Sequence, residues 1–240
     1  MADREQQLLG PLRAAVQRYG MIGEKDRVAV GVSGGKDSLT LLVLLAKLRR
    51  FYPLPFTLTA ITLDPCFGGE ETDFGPVEAL CRELEVPYHL RRTRLWEVVF
   101  QERRETNPCS LCARMRRGAL HRAAQEYGCN VVALGHHQND AAETFLMNLL
   151  EGGTLDCFSP KSYLDRRQLT LIRPMIFLDE KEIAAYCLQA GLPVVKSRCP
   201  ADGCTGRQRT KELLASLSAQ YGPLDAKILG AMQKADIGGW

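Results

Sequence analysis

The sequence predicts an α/β fold: a doubly wound, mostly parallel sheet with helices on both faces and short helical extensions at either end. Three observations predict it. Short apolar runs rich in β-branched residues alternate with longer stretches at the helical period along most of the chain, which is the pattern of βαβ units. The 240 residues are 45% hydrophobic, enough for one sizeable core. A turn with two adjacent glycines, Gly34 and Gly35, sits between the first apolar run and a leucine-rich one.

In chain order, Leu8, Leu9, Leu12, Ala15, Val16 and Tyr19 recur near the helix period, so residues 8–21 read as a helix. Residues 27–33 read as a buried strand, 39–48 as a helix and 56–63 as a second strand. Residues 75–84 are helical, 88–93 form a short third strand, and 95–104 are helical again. A stronger helix over 112–127 is ended by Gly128. A fourth strand is expected over 131–135, a helix over 140–150 stopped by Gly152 and Gly153, and a fifth strand over 169–175. The helix at 179–189 is closed by Gly191, and 211–219 and 224–232 are weaker helical stretches. The expected organisation is an N-terminal helix over 1–25, the α/β unit over 26–200 and a helical segment over 201–240, all within one compact domain. In a parallel sheet of this kind the loops after the strands gather on one edge, where ligands bind.

A formal net charge of +3 does not by itself require nucleic acid. The distribution says more: Arg91, Arg92 and Arg94, then Arg103 and Arg104, then Arg114, Arg116 and Arg117, and later Arg207 and Arg209 are clustered. Each cluster alone is compatible with a solvated helix face; several on one chain favour an anionic partner. The first 17 residues lack the apolar stretch of a signal peptide, and no run approaches a membrane span. The expectation is a cytoplasmic protein with no membrane partner. Nine cysteines there read as ligands, catalysts or buried thiols, not as a disulfide framework.

The turn reads "VGVSGGKDS" over residues 30–38. Gly34 and Gly35 let the backbone approach an anion, and the N–H groups opening the next helix point at it. Lys36 adds a cation, and Ser33 and Ser38 add hydroxyls. Asp37 is out of place in a pure anion site and suits one that also holds Mg²⁺. A second stretch, "LGHHQNDAAET", follows the fourth strand and opens a helix, where Asp140 either caps that helix, with Glu143 three residues on, or reaches the metal. His136 and His137 are given no catalytic role. "SGGKDS" after an apolar strand resembles the signature of the PP-loop ATP pyrophosphatases. The resemblance implies a PP-loop, Rossmann-like domain that cleaves ATP between the α and β phosphates and uses the AMP half to activate a carbonyl oxygen. It implies ATP contacts at Ser33, Gly34, Gly35, Lys36, Asp37, Ser38, Leu63, Gly135 and Asp140, with adenosine held at the end of the second strand, Thr62 to Asp64. It leaves the acceptor open, since the superfamily includes amidotransferases, tRNA lysidine synthetases and tRNA thiolases.

The cysteines narrow it. Cys109 and Cys112 form a C-x-x-C pair in "PCSLCARMRRG", and Cys199 and Cys204 come late. Four thiols would also suit a structural zinc. Cys66, Cys81, Cys129, Cys157 and Cys187 read as buried thiols, Cys66 lying nearest the nucleotide edge. Together with "YGMIGEKDRVAVGVSGGKDS", "VVALGHHQNDAAETFLMNLLEGG" and "LIRPM", the segment "CSLCARMRRG" resembles the tRNA 2-thiocytidine biosynthesis (TtcA) family over nearly the whole chain. That resemblance implies a [4Fe–4S] cluster on Cys109, Cys112 and Cys199, with Cys204 as the alternative third ligand, because the late spacing is longer than the family's C-x-x-C. The loop after Asp64, "PCFGGEETDFG", also departs from the family pattern.

The implied reaction is ATP-dependent thiolation of a tRNA pyrimidine, cytidine in the anticodon loop, by a tRNA sulfurtransferase. Its C2 oxygen is adenylated with Asp37 and Asp140 near Mg²⁺, and sulfur delivered through the cluster at Cys109, Cys112 and Cys199 then replaces that oxygen. Arg114, Arg116 and Arg117 are the expected RNA contacts. The sulfur donor would be a cysteine desulfurase or free sulfide, and a homodimer is compatible with the resemblance. The alternatives are a 2-thiouridine synthetase, a thiolase that carries a persulfide on Cys109 or Cys199, and an amide or lysine ligase of the same fold. A zinc-stapled RNA-binding module is the non-enzymatic reading, and Asp37 in the phosphate loop argues against it.

Overall fold

The strands are held in register by their buried faces. In β1 (Arg27–Gly31) and β2 (Thr57–Asp64), Val28, Val30, Leu58 and Ala60 point to one side, and Ala29 and Ile61 to the other. β1 pairs in parallel with β2 and with β4 (Val131–Ala133). β2 pairs with β3 (Tyr88–Arg92), and β4 with β6 (Leu169–Ile172). This computed structural model describes residues 2–103, 108–200 and 206–240. Among the described residues the sheet has six strands in the order β3-β2-β1-β4-β6-β5. The order reverses at β1 and β4, which places a crevice between their carboxyl ends.

The strand β5 (Lys161–Leu164) was not expected from the sequence. It is the antiparallel edge of the sheet, joined to β6 by a tight turn that ends with Gln168 at φ 49°. Its four residues carry no apolar alternation long enough to be read as a strand. β6 stops at Ile172, three residues short of the expectation, because Pro174 has no N–H to continue the ladder. β1 and β4 are also shorter than expected, since the chain turns off at residues 32 and 134 to build the loops of the crevice.

Helices cover both faces. On one side α1 (Ala2–Arg18), α2 (Lys36–Leu48), α6 (Glu180–Gln189) and α8 (Leu224–Lys234) share the main core. Leu39, Leu41, Leu42, Leu44, Leu45 and Leu48 of α2 are fully buried there. On the other side α4 (Pro108–Glu126) lays Leu120, Ala123 and Ala124 against Ala29, Ile61 and Val132. α4 begins four residues before the expected start, so both cysteines of the C-x-x-C pair lie in its first turns. α3 (Gly75–Glu83) and α5 (Gln138–Gly152) join that main core through Val77, Cys81 and Ala141, and α7 (Gly206–Tyr221) packs on α5. Glu97–Glu102 is a π-helical turn that precedes α4, and Arg104 lies outside the described residues. No helix among the described residues is long and apolar enough to cross a membrane.

Candidate nucleotide and thiol site

The crevice holds the glycine turn. Gly34 has φ +86°, and a Cβ there would meet the Cβ of Val195 at 2.9 Å and Phe74 at 3.2 Å, so no side chain fits. Gly135, ending the β4 loop, is pressed against the start of α2: its Cβ would lie 3.2 Å from the Asp37 carbonyl carbon and from the Ser38 nitrogen. The serines close the loop on itself. The Ser33 N–H donates to Ser38 Oγ (3.1 Å), and Ser38 Oγ donates to the Gly35 carbonyl (2.9 Å). The N-terminus of α2 is thereby aimed into the crevice, where its dipole favours an anion.

Lys36 is doubly paired, 2.9 Å from Asp37 Oδ1 and 3.1 Å from Glu180 Oε1. Burial works against its charge, but the two carboxylates prevail and its pKa is raised. Glu180 also takes Lys211 at 2.5 Å. Burial would raise its carboxyl, yet hydrogen bonds from Lys211 and Lys36 outweigh that and hold it down at about 2, against 4.5 unperturbed. A depressed carboxyl contributes stability above its unfolded pKa, and that stability is lost as pH falls from about 4.5 towards 2. Glu180→Gln is therefore expected to cost about 1–3 kcal/mol at pH 7 in urea unfolding. The gap to the parent should narrow below pH 4.5, and an undiminished gap at pH 3 would contradict the pairing.

Asp37 and Asp140 converge on one imidazole. His137 Nε2 lies 3.8 Å from Asp37 Oδ1 and 3.4 Å from Asp140 Oδ2. One of the two roles expected for Asp140, beside reaching Mg²⁺, was to cap its helix with Glu143 three residues on. Instead His137 is the N-cap: its Nδ1 accepts from the Asp140 N–H (3.4 Å), while the Asp140 carboxylate accepts from the His137 N–H (3.0 Å). The helix starts two residues early for this reason, and Glu143, 4% exposed, is turned inward. Its carboxyl is raised to about 7 by burial and by the Asp140 charge. Asp140 has a further partner that no sequence pattern signalled. Arg207 Nη1 of α7 donates to Asp140 Oδ1 at 2.7 Å, and its Nη2 donates to Thr144 Oγ1 at 3.0 Å. Two carboxylates facing one point provide the hard oxygen donors that suit Mg²⁺.

At the end of β2, Thr62 Oγ1 donates to the Val32 carbonyl (2.8 Å), and the fully buried Asp64 accepts from the Cys66 (3.0 Å) and Thr72 (2.9 Å) N–H groups. Both residues shape the loop that borders the crevice. Leu63 faces the other way, towards α4.

Beside it α4 carries Cys109 and Cys112. Burial pushes the Cys112 thiol up, Arg116 opposes the shift, and the charges of Cys199 and Cys109 add to it. Among the described residues no group of three or more Cys, His, Asp or Glu side chains stands close enough to hold a metal. Thiols are the soft donors that bind iron–sulfur clusters or zinc. Cys204 lies outside the described residues. The segment carrying Cys199 is fastened to the phosphate loop, since the Val195 N–H donates to the Gly34 carbonyl at 2.9 Å, and Arg198 pairs with Glu70 at 2.6 Å. Cys81, Cys129, Cys157 and Cys187 are buried away from this point, and Cys66 is half-buried in the loop after β2.

Of the three arginines after the cysteine pair, Arg114 and Arg117, three apart on α4, are exposed and share a face, while Arg116 is half-buried. Residues one apart on a helix are turned by about 100°. Arg114 lines a groove, the Arg116 charge favours the Cys112 thiolate, and the Arg117 charge disfavours charge on His121 and Arg173.

Comparison with known proteins accords with this geometry. Residues 6–212 match the PP-loop domain family. The chain is 42% identical to the tRNA-cytidine(32) 2-sulfurtransferase of Pelobacter propionicus, over 95% of this chain and 87% of that one. The chain belongs to the TtcA family of PP-loop enzymes. The protein of the same name from Syntrophotalea carbinolica is 41% identical over 91% of this chain and 85% of its own. Among solved structures, the U34-tRNA thiolase NcsA from Methanococcus maripaludis, determined with its [4Fe-4S] cluster, shares the fold with a TM-score of 0.77 at 23% identity. That match covers 96% of this chain and 79% of that one. The crevice between β1 and β4 lies within the stretch that matches the PP-loop domain.

Proposed function

We propose that this PP-loop enzyme thiolates a tRNA pyrimidine at C2, a cytidine as in its named relatives, in two half-reactions at one crevice. One observation carries the reading. The segment that carries Cys199, whose charge bears on the Cys112 thiol, is hydrogen-bonded through Val195 to Gly34 of the phosphate loop. The activating and sulfur-bearing halves are therefore built against each other.

In the first half-reaction the loop from Ser33 to Ser38 and the N-terminus of α2 hold the ATP phosphates, and Gly34 and Gly135 leave room for the backbone to approach them. Asp37 and Asp140 would hold Mg²⁺, for which Arg207 has to yield one Asp140 oxygen. The pyrimidine C2 oxygen attacks the α phosphorus and pyrophosphate leaves, its charge met by Lys36 and the loop N–H groups. The oxygen at C2 now departs readily as AMP. In the second half-reaction a sulfur nucleophile adds at C2, AMP leaves, and a C=S bond remains. Cys109, Cys112 and Cys199 would hold a [4Fe–4S] cluster. When bound, a cluster with only three protein thiolates supplies one iron that is open to an external sulfide. Arg114, which borders a groove, and Arg116 would meet RNA phosphate, and the substrate must present an unstacked base. The sulfur comes from free sulfide or a desulfurase partner.

The test is anaerobic purification with iron, sulfide and zinc quantitation, followed by assay with Mg-ATP, unmodified tRNA and sulfide. About four irons per chain with release of pyrophosphate and AMP and a thiolated nucleoside are expected. One zinc and no iron would overturn the cluster. Thiolation with no pyrophosphate release would overturn the adenylation step.

A further inference from the structure

A groove runs between α4 and the edge strand β3, beside the nucleotide and thiol site and not part of it. Its larger hollow, of about 350 Å³, is bounded by Leu95, Val98 and Met115 and by Arg94, Arg114 and Arg122. A smaller hollow, of about 140 Å³, continues it past Leu63, Arg91, Arg92 and Glu126, and the two share Thr93, Ala119 and Arg122. The floor comes from helix spacing. Arg114, Gly118 and Arg122 recur at four-residue steps, so they share one face of α4, with the two guanidinium stems about 12 Å apart along the axis. A Cβ placed on Gly118 would have nothing within 4 Å, so the middle of this face is an open notch.

The charge is strongly one-sided. Five arginines border the groove against one acid, Glu126. Arg91 is held by Glu126 and by the Tyr127 hydroxyl (2.9 Å), Arg92 by Glu71 (2.8 Å) and Arg94 by Glu97 (2.5 Å). Arg114 and Arg122 have no ion pair among the described residues. Two unpaired guanidinium groups at either end of an apolar notch call for a ligand with anions at intervals and flat apolar faces between them. Single-stranded RNA has that chemistry: phosphates for the arginines, and bases or riboses for Val98 and Met115. Along the axis of α4 the groove begins at the level of the cysteine pair, since Arg114 lies about 3 Å of rise from Cys112, on a different face of the helix.

We infer that this groove binds the single-stranded stretch of the tRNA next to the modified nucleotide, with Arg114 and Arg122 on its phosphates and Gly118 leaving space for the chain between them. The inference deepens the tRNA reading above and rests on it. Arg122 and Gly118 were not among the RNA contacts expected from the sequence, because their spacing acquires meaning only once β3 closes the other wall.

The experiment measures the affinity of the full-length protein for unmodified tRNA as a function of salt, with ATP binding measured in parallel. Gly118→Trp fills the notch without removing charge, and at an open helical site it should leave the fold intact. It is expected to weaken tRNA binding about 10-fold or more with the salt slope retained. Arg114→Glu with Arg122→Glu is expected to weaken it at least as much and to flatten the salt slope by about two. Arg114→Lys with Arg122→Lys should keep most of the slope, and ATP binding should be unchanged in all three. Parent-like tRNA affinity in both the Trp and the double Glu variants would overturn the groove, even if turnover with a protein sulfur donor fell, since the surface would then serve an acidic protein. If the parent itself bound no tRNA, the functional reading would fall first.

Discussion

Asp37→Ala is expected to remove tRNA-dependent pyrophosphate release, lowering its rate by about 10²-fold or more, while leaving tRNA affinity unchanged. The expectation follows from what the substitution leaves in place. Lys36 keeps Glu180 at 3.1 Å, and the Ser33–Ser38 bonds that shape the loop do not involve Asp37. The anion cradle therefore survives. What is lost is one of two carboxylates facing the His137 imidazole, and with it half of the oxygen set that would hold Mg²⁺ against the departing pyrophosphate. A quenched-flow or coupled pyrophosphate assay reads the step directly. Undiminished release would show that the loop holds phosphate without a metal at this acid.

Cys112→Ser is expected to separate the two half-reactions. Thiolated nucleoside should fall by about 10²-fold or more and iron content should drop with it, while pyrophosphate release continues. Cys112 is 8% exposed, and the Cys109 and Cys199 charges bear on its thiol, so a weaker donor there would break the proposed thiol set without opening the crevice. Cys129→Ser is the matched control. That thiol is also buried and also raised, but it lies under the far end of α4 against the sheet. If both serine variants thiolate like the parent, the sulfur passes through neither site. If Cys112→Ser also stops pyrophosphate release, the cysteine turn positions the substrate base as well.

Much of the fold was legible because it depends on local periodicity. The Leu-rich run of α2, the β-branched run of β2 and the glycine stops after α4 and α5 each specify an element without knowledge of its neighbours. β5 was not legible, since an edge strand buries little and needs no apolar alternation. Within the site, the glycine turn and the cysteine pair could be read because their chemistry is compact in sequence. The His137 cap was missed because histidine is an uncommon N-cap, and Asp140 was a better candidate by residue type. Arg207 on Asp140 spans 67 positions, and Arg116 and Arg117 look alike in sequence but face different partners in the helix. Such pairings are set by how elements dock, which no local pattern records.

The hydrogen bond from Val195 to Gly34 makes the short run to Cys199 a ruler. Each residue of extended chain spans about 3.5 Å. One insertion or deletion between positions 195 and 199 would displace Cys199, the proposed third ligand, by about 3.5 Å with the Val195–Gly34 bond untouched. Within the run the Ser197 hydroxyl accepts from the Cys199 N–H at 3.2 Å, so both its length and a hydroxyl at position 197 set where Cys199 stands.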